Sequence, residues 1–359
     1  MIIIAVLLFI FLSLFSLKSQ SIINKNICFI FCLVFWWFLE SFRWESGTDY
    51  WNYINNFQRM KLKFLWTDRY ELGYNLMVLF FRDYLKTSFT FFIAVYYLIV
   101  FILYYFSIRK ATQKPLLFIF IFFCFVIGLM GSTRQLMALS IMFFGSIYFL
   151  EKKKLWFILT ILLASLFHRT IIVCLVFVFF TNHIKYKYWF YMIAAAFITQ
   201  ISGLNMLVME NLIVILPKSF SERFFSYLSM SLVDVINMKT YLSGIFRRLL
   251  PIILLFIYKD KLTEIAGDIK IRYVMNILFF SLFSYIILSF NFTFIISRIS
   301  IYFNIFEVLF YVWLITMFIE EKKYIYILGL VAFFLILCIK YIMYYPHLFL
   351  PYKTIFFTL

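Results

Sequence analysis

Apolar residues fall in long blocks along the chain, not in the short alternation of a soluble strand or helix. The blocks cover roughly 2–17, 27–42, 89–108, 115–131, 134–150, 155–180, 189–215, 244–258, 273–290, 297–319 and 324–343. About 20 apolar residues in a helix cross the hydrocarbon core of a bilayer. The pattern therefore predicts an all-α polytopic membrane protein of about 10–12 transmembrane helices, in a single transmembrane domain over 1–359. Polar connections are short except at 43–88 and 217–243. In the first, residues 71–85 are apolar but short and carry Glu71, Arg82 and Asp83, so an interfacial or re-entrant helix is expected. In the second, spacing suggests a short amphipathic helix on the interface, with Arg223 and Asp234 as weak site candidates.

Composition strengthens this reading. The 359 residues are 65% hydrophobic and 14% charged, with mean hydropathy +0.99. Soluble domains run about half apolar and a quarter charged. A formal charge of +17 would suggest nucleic acid in a soluble protein. Here topology and lipid phosphates explain it, and no nucleic-acid partner is expected. The opening MIIIAVLLFIFLSLFSLK lacks a basic n-region and a small-residue cleavage site, so it reads as a retained helix. The five cysteines lie in apolar runs and no Cys/His cluster has metal spacing. Neither a disulfide nor a metal is expected.

The short basic connections orient the helices. Lys18, Lys25, Arg109, Lys110, Lys114, Lys152 to Lys154, Lys185, Lys187, the 259–272 stretch, Lys322 and Lys323 can all be cytoplasmic if the first helix starts outside. The positive-inside rule favours that arrangement. It requires 155–180 to enter and leave on one side, as two half-helices meeting near His168 and Arg169. A broken helix is tolerated at membrane depth only where protein buries it or water lines it. The cytoplasmic set then holds fourteen lysines and two arginines, the remainder seven lysines and ten arginines. Topology alone has no reason to separate the two. Guanidinium is the better fork for phosphate and carboxylate, so the external face looks built to hold an anion.

Several residues stand out against that frame. Residues 115–150 as one helix would be about 54 Å long, against a core of about 30 Å. The chain must turn near Gly131, Ser132 and Thr133, and Arg134 then opens the next helix beside a turn with no other charge. His168 and Arg169 sit mid-run, where polar residues are functional candidates by default. Arg298 starts another helix, with Tyr302 one turn later on the same face. Arg247 and Arg248 lie near a helix end; at most one is expected to face the interior, leaving a headgroup anchor. The stretch RWESGTDYWNY (43–53) can be an interfacial aromatic belt. That explains its rings but not Arg43 with Asp49. The tail YYPHLFLPYK (344–353) is expected to be a fixed external cap.

The order Arg43, Gly47-Thr48-Asp49-Tyr50 and Tyr53, then Glu71-Leu72-Gly73-Tyr74, Arg134-Gln135, His168, Arg298 with Tyr302, and Pro351-Tyr352 resembles the Wzy-type O-antigen and exopolysaccharide polymerases, in their EpsG-like branch. The resemblance covers nearly the whole chain. It implies a GT-C-like helical fold with a lipid-facing groove, in the inner membrane of bacteria with its active site outside. It implies a metal-independent glycosyltransferase that moves a glycan from undecaprenyl pyrophosphate onto the sugar of a second lipid-linked repeat unit. Arg134, Arg298 and Arg43 would hold pyrophosphate, and Asp49 or His168 would be the base. Tyr50 and Tyr302 would position sugar or carrier, with Gln135, Arg169, Glu71 and Tyr352 completing the substrate contacts. The implied partners are the lipid-linked donor and acceptor oligosaccharides, membrane lipids and a chain-length regulator protein; no cofactor is implied.

Two alternatives use the same features. An O-antigen ligase shares the donor, but a larger late external loop is expected of it, and here the larger loop is early. A lipid-linked oligosaccharide flippase should show two similar halves with matching broken helices, and His168 has no counterpart in the other half.

Overall fold

The computed structural model describes residues 2–18, 21–66, 70–181, 184–207, 211, 238–289, 292–344 and 346–356. Arg223 and Asp234, with nearly all of the amphipathic helix expected in 217–243, lie outside them. Apolar blocks become helices almost block for block: α1 (Ile2–Lys18), α2 (Ile22–Ser41), α5 (Phe89–Ala111), α6 (Pro115–Val126), α7 (Thr133–Leu150), α8 (Lys154–Ser165) and α9 (Tyr186–Ile201). After them come α10 (Met238–Ala266), α11 (Asp268–Leu288), α12 (Thr293–Glu320), α13 (Tyr324–Tyr344) and the short α14 (Pro346–Phe349). The polar 43–88 stretch adds α3 (Tyr50–Arg59) and α4 (Leu72–Leu79), the latter running into a π-helical turn at Phe80–Tyr84. The helix expected within 71–85 is thus present.

Among the described residues, α2, α5, α7, α10, α11, α12 and α13 are long and apolar enough to cross a membrane, with shorter apolar helices at 2–14, 115–129, 154–165 and 169–181. The protein is an all-α, multi-pass membrane protein. Helix starts follow local chemistry: Ser21 and Ser88 accept from the N–H groups of Asn24 and Phe91, satisfying donors that a helix start leaves orphaned. The 155–180 block is broken as expected. α8 stops at Ser165, and a 3-10 segment resumes at Arg169–Thr181.

The chain packs as two compact units, Met1–Leu175 with Phe318–Leu359, and Val176–Met317. In the first, α6 is buried on nearly every side, as an all-round apolar helix must be. Trp36 of α2 meets Phe123 of α6 and Phe101 of α5 edge-on, with centroids 5.0 and 5.4 Å apart. In the second, Trp189 of α9 donates its indole N–H to Asn276 of α11 at 3.1 Å, and Asn276 donates to the Phe180 carbonyl at 2.9 Å.

The second unit corrects one expectation. Arg247 and Arg248 are both buried. Arg247 donates to Asn304 at 2.8 Å and Glu307 at 3.1 Å, both on α12. Arg248 lies 3.9 Å over the Tyr285 ring of α11. Two neighbouring helices receive one arginine each, so neither side chain is left as a headgroup anchor.

Candidate functional site

The site grows from the turn at Met130–Thr133. Gly131 sits in left-handed backbone at φ +89°, a conformation glycine adopts at little cost. Its peptide is gripped from both sides: the N–H donates to Glu40 Oε2 at 3.2 Å, and the carbonyl accepts from Arg43 Nη2 at 3.3 Å. Arg43 Nη1 also donates to the Ser46 carbonyl at 2.7 Å. The first polar loop lies directly on this turn. The Thr48 N–H donates to the Met130 carbonyl at 3.0 Å, and the Thr48 and Ser132 hydroxyls are 2.9 Å apart. A Cβ on Gly131 would approach Thr48 N and O to 2.7 Å and Arg43 Nη1 to 2.8 Å. Gly47, at φ +80°, faces the same turn.

Three residues after Gly131, Arg134 lies in the first turn of α7 inside a cluster of tyrosines. Its guanidinium lies 4.2 Å over the Tyr70 ring and 5.9 Å from Tyr53, a cation–π arrangement. The Tyr53, Tyr70 and Tyr74 rings pack against one another at 5.5–5.7 Å. Arg134 Nη1 makes a short ion pair with Glu71 Oε2. Its counter-charge therefore comes from the N-cap of α4 and not from the charge-free turn, across sixty-three residues that no local spacing links.

Glu71 also explains the broken helix. Its second carboxylate oxygen accepts the Arg169 N–H at 3.4 Å. Two residues later, the Gly73 N–H donates to the Leu166 carbonyl at 2.7 Å. The start of α4 thus takes up backbone groups that the break between α8 and the 3-10 segment frees, as a break away from water requires. A Cβ on Gly73 would come within 2.8 Å of the Leu166 carbonyl oxygen, so glycine sets this close approach.

The other expected residues are placed as follows. Asp49 is half-buried at φ 59° and accepts from Asn52 at 3.0 Å. Among the described residues it makes no ion pair with Arg43, whose acidic neighbour is Glu40. Tyr50 lies 5.5 Å from the Arg43 guanidinium, and burial pushes its hydroxyl above the usual range despite that cation. Gln135 is buried one residue beyond Arg134. His168 is buried at the break, with Nδ1 2.7 Å from the Thr170 hydroxyl; Arg169 is half-buried beside it. Arg298, half-buried, and Tyr302, fully buried, lie on α12 in the second unit.

The expected cap is present. Residues 346–356 fold onto the first loop, with the N–H of Gly47 donating to Leu348, of Trp44 to Lys353, and of Ile355 to Phe42. The Tyr352 hydroxyl donates to the Leu39 carbonyl, and burial raises its pKa.

Sequence reading passed over Glu40, buried at 3% exposure. The signal was a lone carboxylate near the end of an apolar block, a position where a charge is costly. The result is two arginines on either side of one turn, Arg43 buried and Arg134 largely so, each with a carboxylate beside it. The Nε–H groups of both are buried without a hydrogen-bond partner among the described residues. Arg43 and Ser41, whose hydroxyl is also unmatched, line a small cavity with Tyr50 and Thr90. Such spare charge-assisted donors suit a phosphate oxygen. Among the described residues, no group of three His, Cys, Asp or Glu is placed to hold a metal.

No curated protein matches the chain, and no solved structure does. A family profile does match, over residues 25–354, and takes in both arginines, the turn between them, α4, the broken helix and nearly all of the tail. The chain belongs to the EpsG family.

Proposed function

We propose that this protein transfers a glycan from undecaprenyl pyrophosphate onto the sugar of a lipid-linked repeat unit, at the external face of the bacterial inner membrane. Membership of the EpsG family supports a polysaccharide-polymerase activity in general. The observation that carries the finer reading is the pair Arg43, buried, and Arg134, largely buried, on either side of the Gly131 turn with Nε–H donors to spare. Cleaving a glycosyl–pyrophosphate bond puts negative charge on the leaving phosphates. Preorganised guanidinium groups in a water-poor site stabilise that charge. Glu40 and Glu71 hold the turn and the guanidinium in register before substrate arrives.

The acceptor hydroxyl must lose a proton to a base within hydrogen-bond reach. Asp49 fits that role better than His168. It is half-buried, not enclosed, and it is fixed in a left-handed conformation at the start of α3. His168 is buried, with Nδ1 against Thr170, and serves to order the helix break. Trp51, exposed and packed edge-on against Tyr50, offers a ring face to sugar or carrier.

The test incubates purified protein with a defined lipid-linked repeat unit and follows the product ladder. Arg43→Lys and Arg134→Lys keep the charge but lose the fork, and each should slow the ladder about 100-fold while yield and monodispersity hold. A normal ladder from both would sink the pyrophosphate assignment. Glu45 is exposed, so Glu45→Cys should react with an impermeant thiol reagent from outside. Reaction only after permeabilisation would reverse the sidedness.

A further inference from the structure

The lysine-rich end of the first unit holds a feature that glycan transfer does not use. A cavity of about 540 Å³ opens between the C-terminal ends of α5 and α7, lined by Phe106, Arg109, Lys110, Phe144, Ile147 and Tyr148. Its walls are apolar, and Phe106 is 54% exposed. Its rim is basic and built. Lys110 and Lys153 lie 5.6 and 5.8 Å from the centroid of Tyr148. One carboxylate, Glu151, holds both, at 3.1 Å to Lys110 and 2.8 Å to Lys153. Arg109 reaches back to donate to Asn26 of α2 at 2.5 Å and lies over Tyr105 at 5.8 Å. Two lysines thus share one carboxylate, and Arg109 beside them is held by a neutral amide.

We propose that this cavity is a binding site for an anionic phospholipid. The excess charge is fixed beside two aromatic rings, Lys110 and Lys153 at Tyr148 and Arg109 at Tyr105, where α5 and α7 end. Apolar surface continues beneath it, along Phe106, Phe144 and Ile147. A ligand that matches must carry a negative head directly joined to an apolar body. A free phosphate would leave the walls unfilled. A zwitterionic phospholipid would bring its own cation against Arg109 and Lys110. Its place among the lysines that the positive-inside rule sets inside puts the lipid in the cytoplasmic leaflet. Basic residues near a membrane surface each contribute on the order of a few-fold in affinity for anionic lipid.

Native mass spectrometry of the purified full-length protein tests this, titrating dioleoyl phosphatidylglycerol against dioleoyl phosphatidylcholine. The wild type should retain phosphatidylglycerol at lower lipid concentration. Arg109→Gln with Lys110→Gln should weaken that retention roughly tenfold and leave phosphatidylcholine unchanged. Arg109→Lys with Lys110→Arg keeps the charge and should restore binding, which separates a lost site from a misfolded protein. Equal retention of both lipids by the wild type would overturn the proposal, as would unchanged phosphatidylglycerol binding in the Gln pair. Loss of binding in the charge-keeping pair as well would also overturn it, because the match would then not be one of charge. None of these readouts depends on polymerase activity.

Discussion

Removing Glu71 should cost more than removing almost any other carboxylate in the first unit. Its side chain is 8% exposed and that of Arg134 13%, so the pair is largely desolvated. Breaking a buried pair by deleting one partner costs about 3–5 kcal/mol, because the surviving charge is left uncompensated. Glu71→Ala also strands the Arg169 N–H, adding about 1–3 kcal/mol for an unsatisfied buried donor. Glu71→Gln keeps that acceptor but turns an amide toward the guanidinium, so it should cost less than Ala. Unfolding in mixed detergent micelles measures these differences. A double-mutant cycle with Arg134→Gln isolates the pair, and coupling of about 2 kcal/mol or more is expected for residues in direct contact. Additive effects, or a Glu71→Ala cost below about 1 kcal/mol, the level of an exposed ion pair, would refute the claim that α4 is anchored to α7 and the helix break through this carboxylate.

Gly131→Ala should destabilise by about 2 kcal/mol or more, from left-handed backbone and from contact with Thr48 and Arg43, and should abolish polymer; the same unfolding assay and ladder check it. Arg82 donates to the carbonyls of Phe57 and Met60 at the end of α3 and pairs with Asp83 at 2.6 Å. The Arg82 guanidinium holds the Asp83 carboxyl below the usual carboxylate range. A depressed folded-state pKa means that this contribution is present above the unfolded value near 4 and is lost as pH falls through the folded one. Limited proteolysis of the 57–66 segment should therefore accelerate below about pH 4 in the wild type. In Asp83→Asn it should be raised already at pH 6, with no acid limb of its own.

Much of this molecule was legible in the sequence because a bilayer demands long apolar blocks, and these map onto helices directly. The break near His168 was legible for the same reason: a 26-residue run could not satisfy both its own length and the charge pattern around it. Arg134 was legible as a charge opening a helix. Its partner was not, since Glu71 lies sixty-three residues away and no local spacing links them. Arg247 and Arg248 misled for a related reason. Adjacent residues point about 100° apart on a helix, which argues for one inside and one outside only if a single neighbour packs there; α11 and α12 each take one. Glu40 was readable in principle, as the acidic residue of an otherwise apolar block, but only the fold shows that it binds the peptide on which Arg43 also closes.

The clasp between the first loop and residues 346–356 sets an order of events in biosynthesis. The Lys353 N–H meets the Ser46 hydroxyl across 307 positions of sequence. At 5–20 residues per second, a ribosome takes about 15–60 s to make that length of chain. Throughout that interval α2 and α3 are already made while the seat of Arg43 lacks its outer edge. The loop that grips the turn is therefore completed only after residues 346–356 have been made. A nascent protein cannot close this clasp on the Gly131 turn until every helix between the first loop and Pro346 has been made.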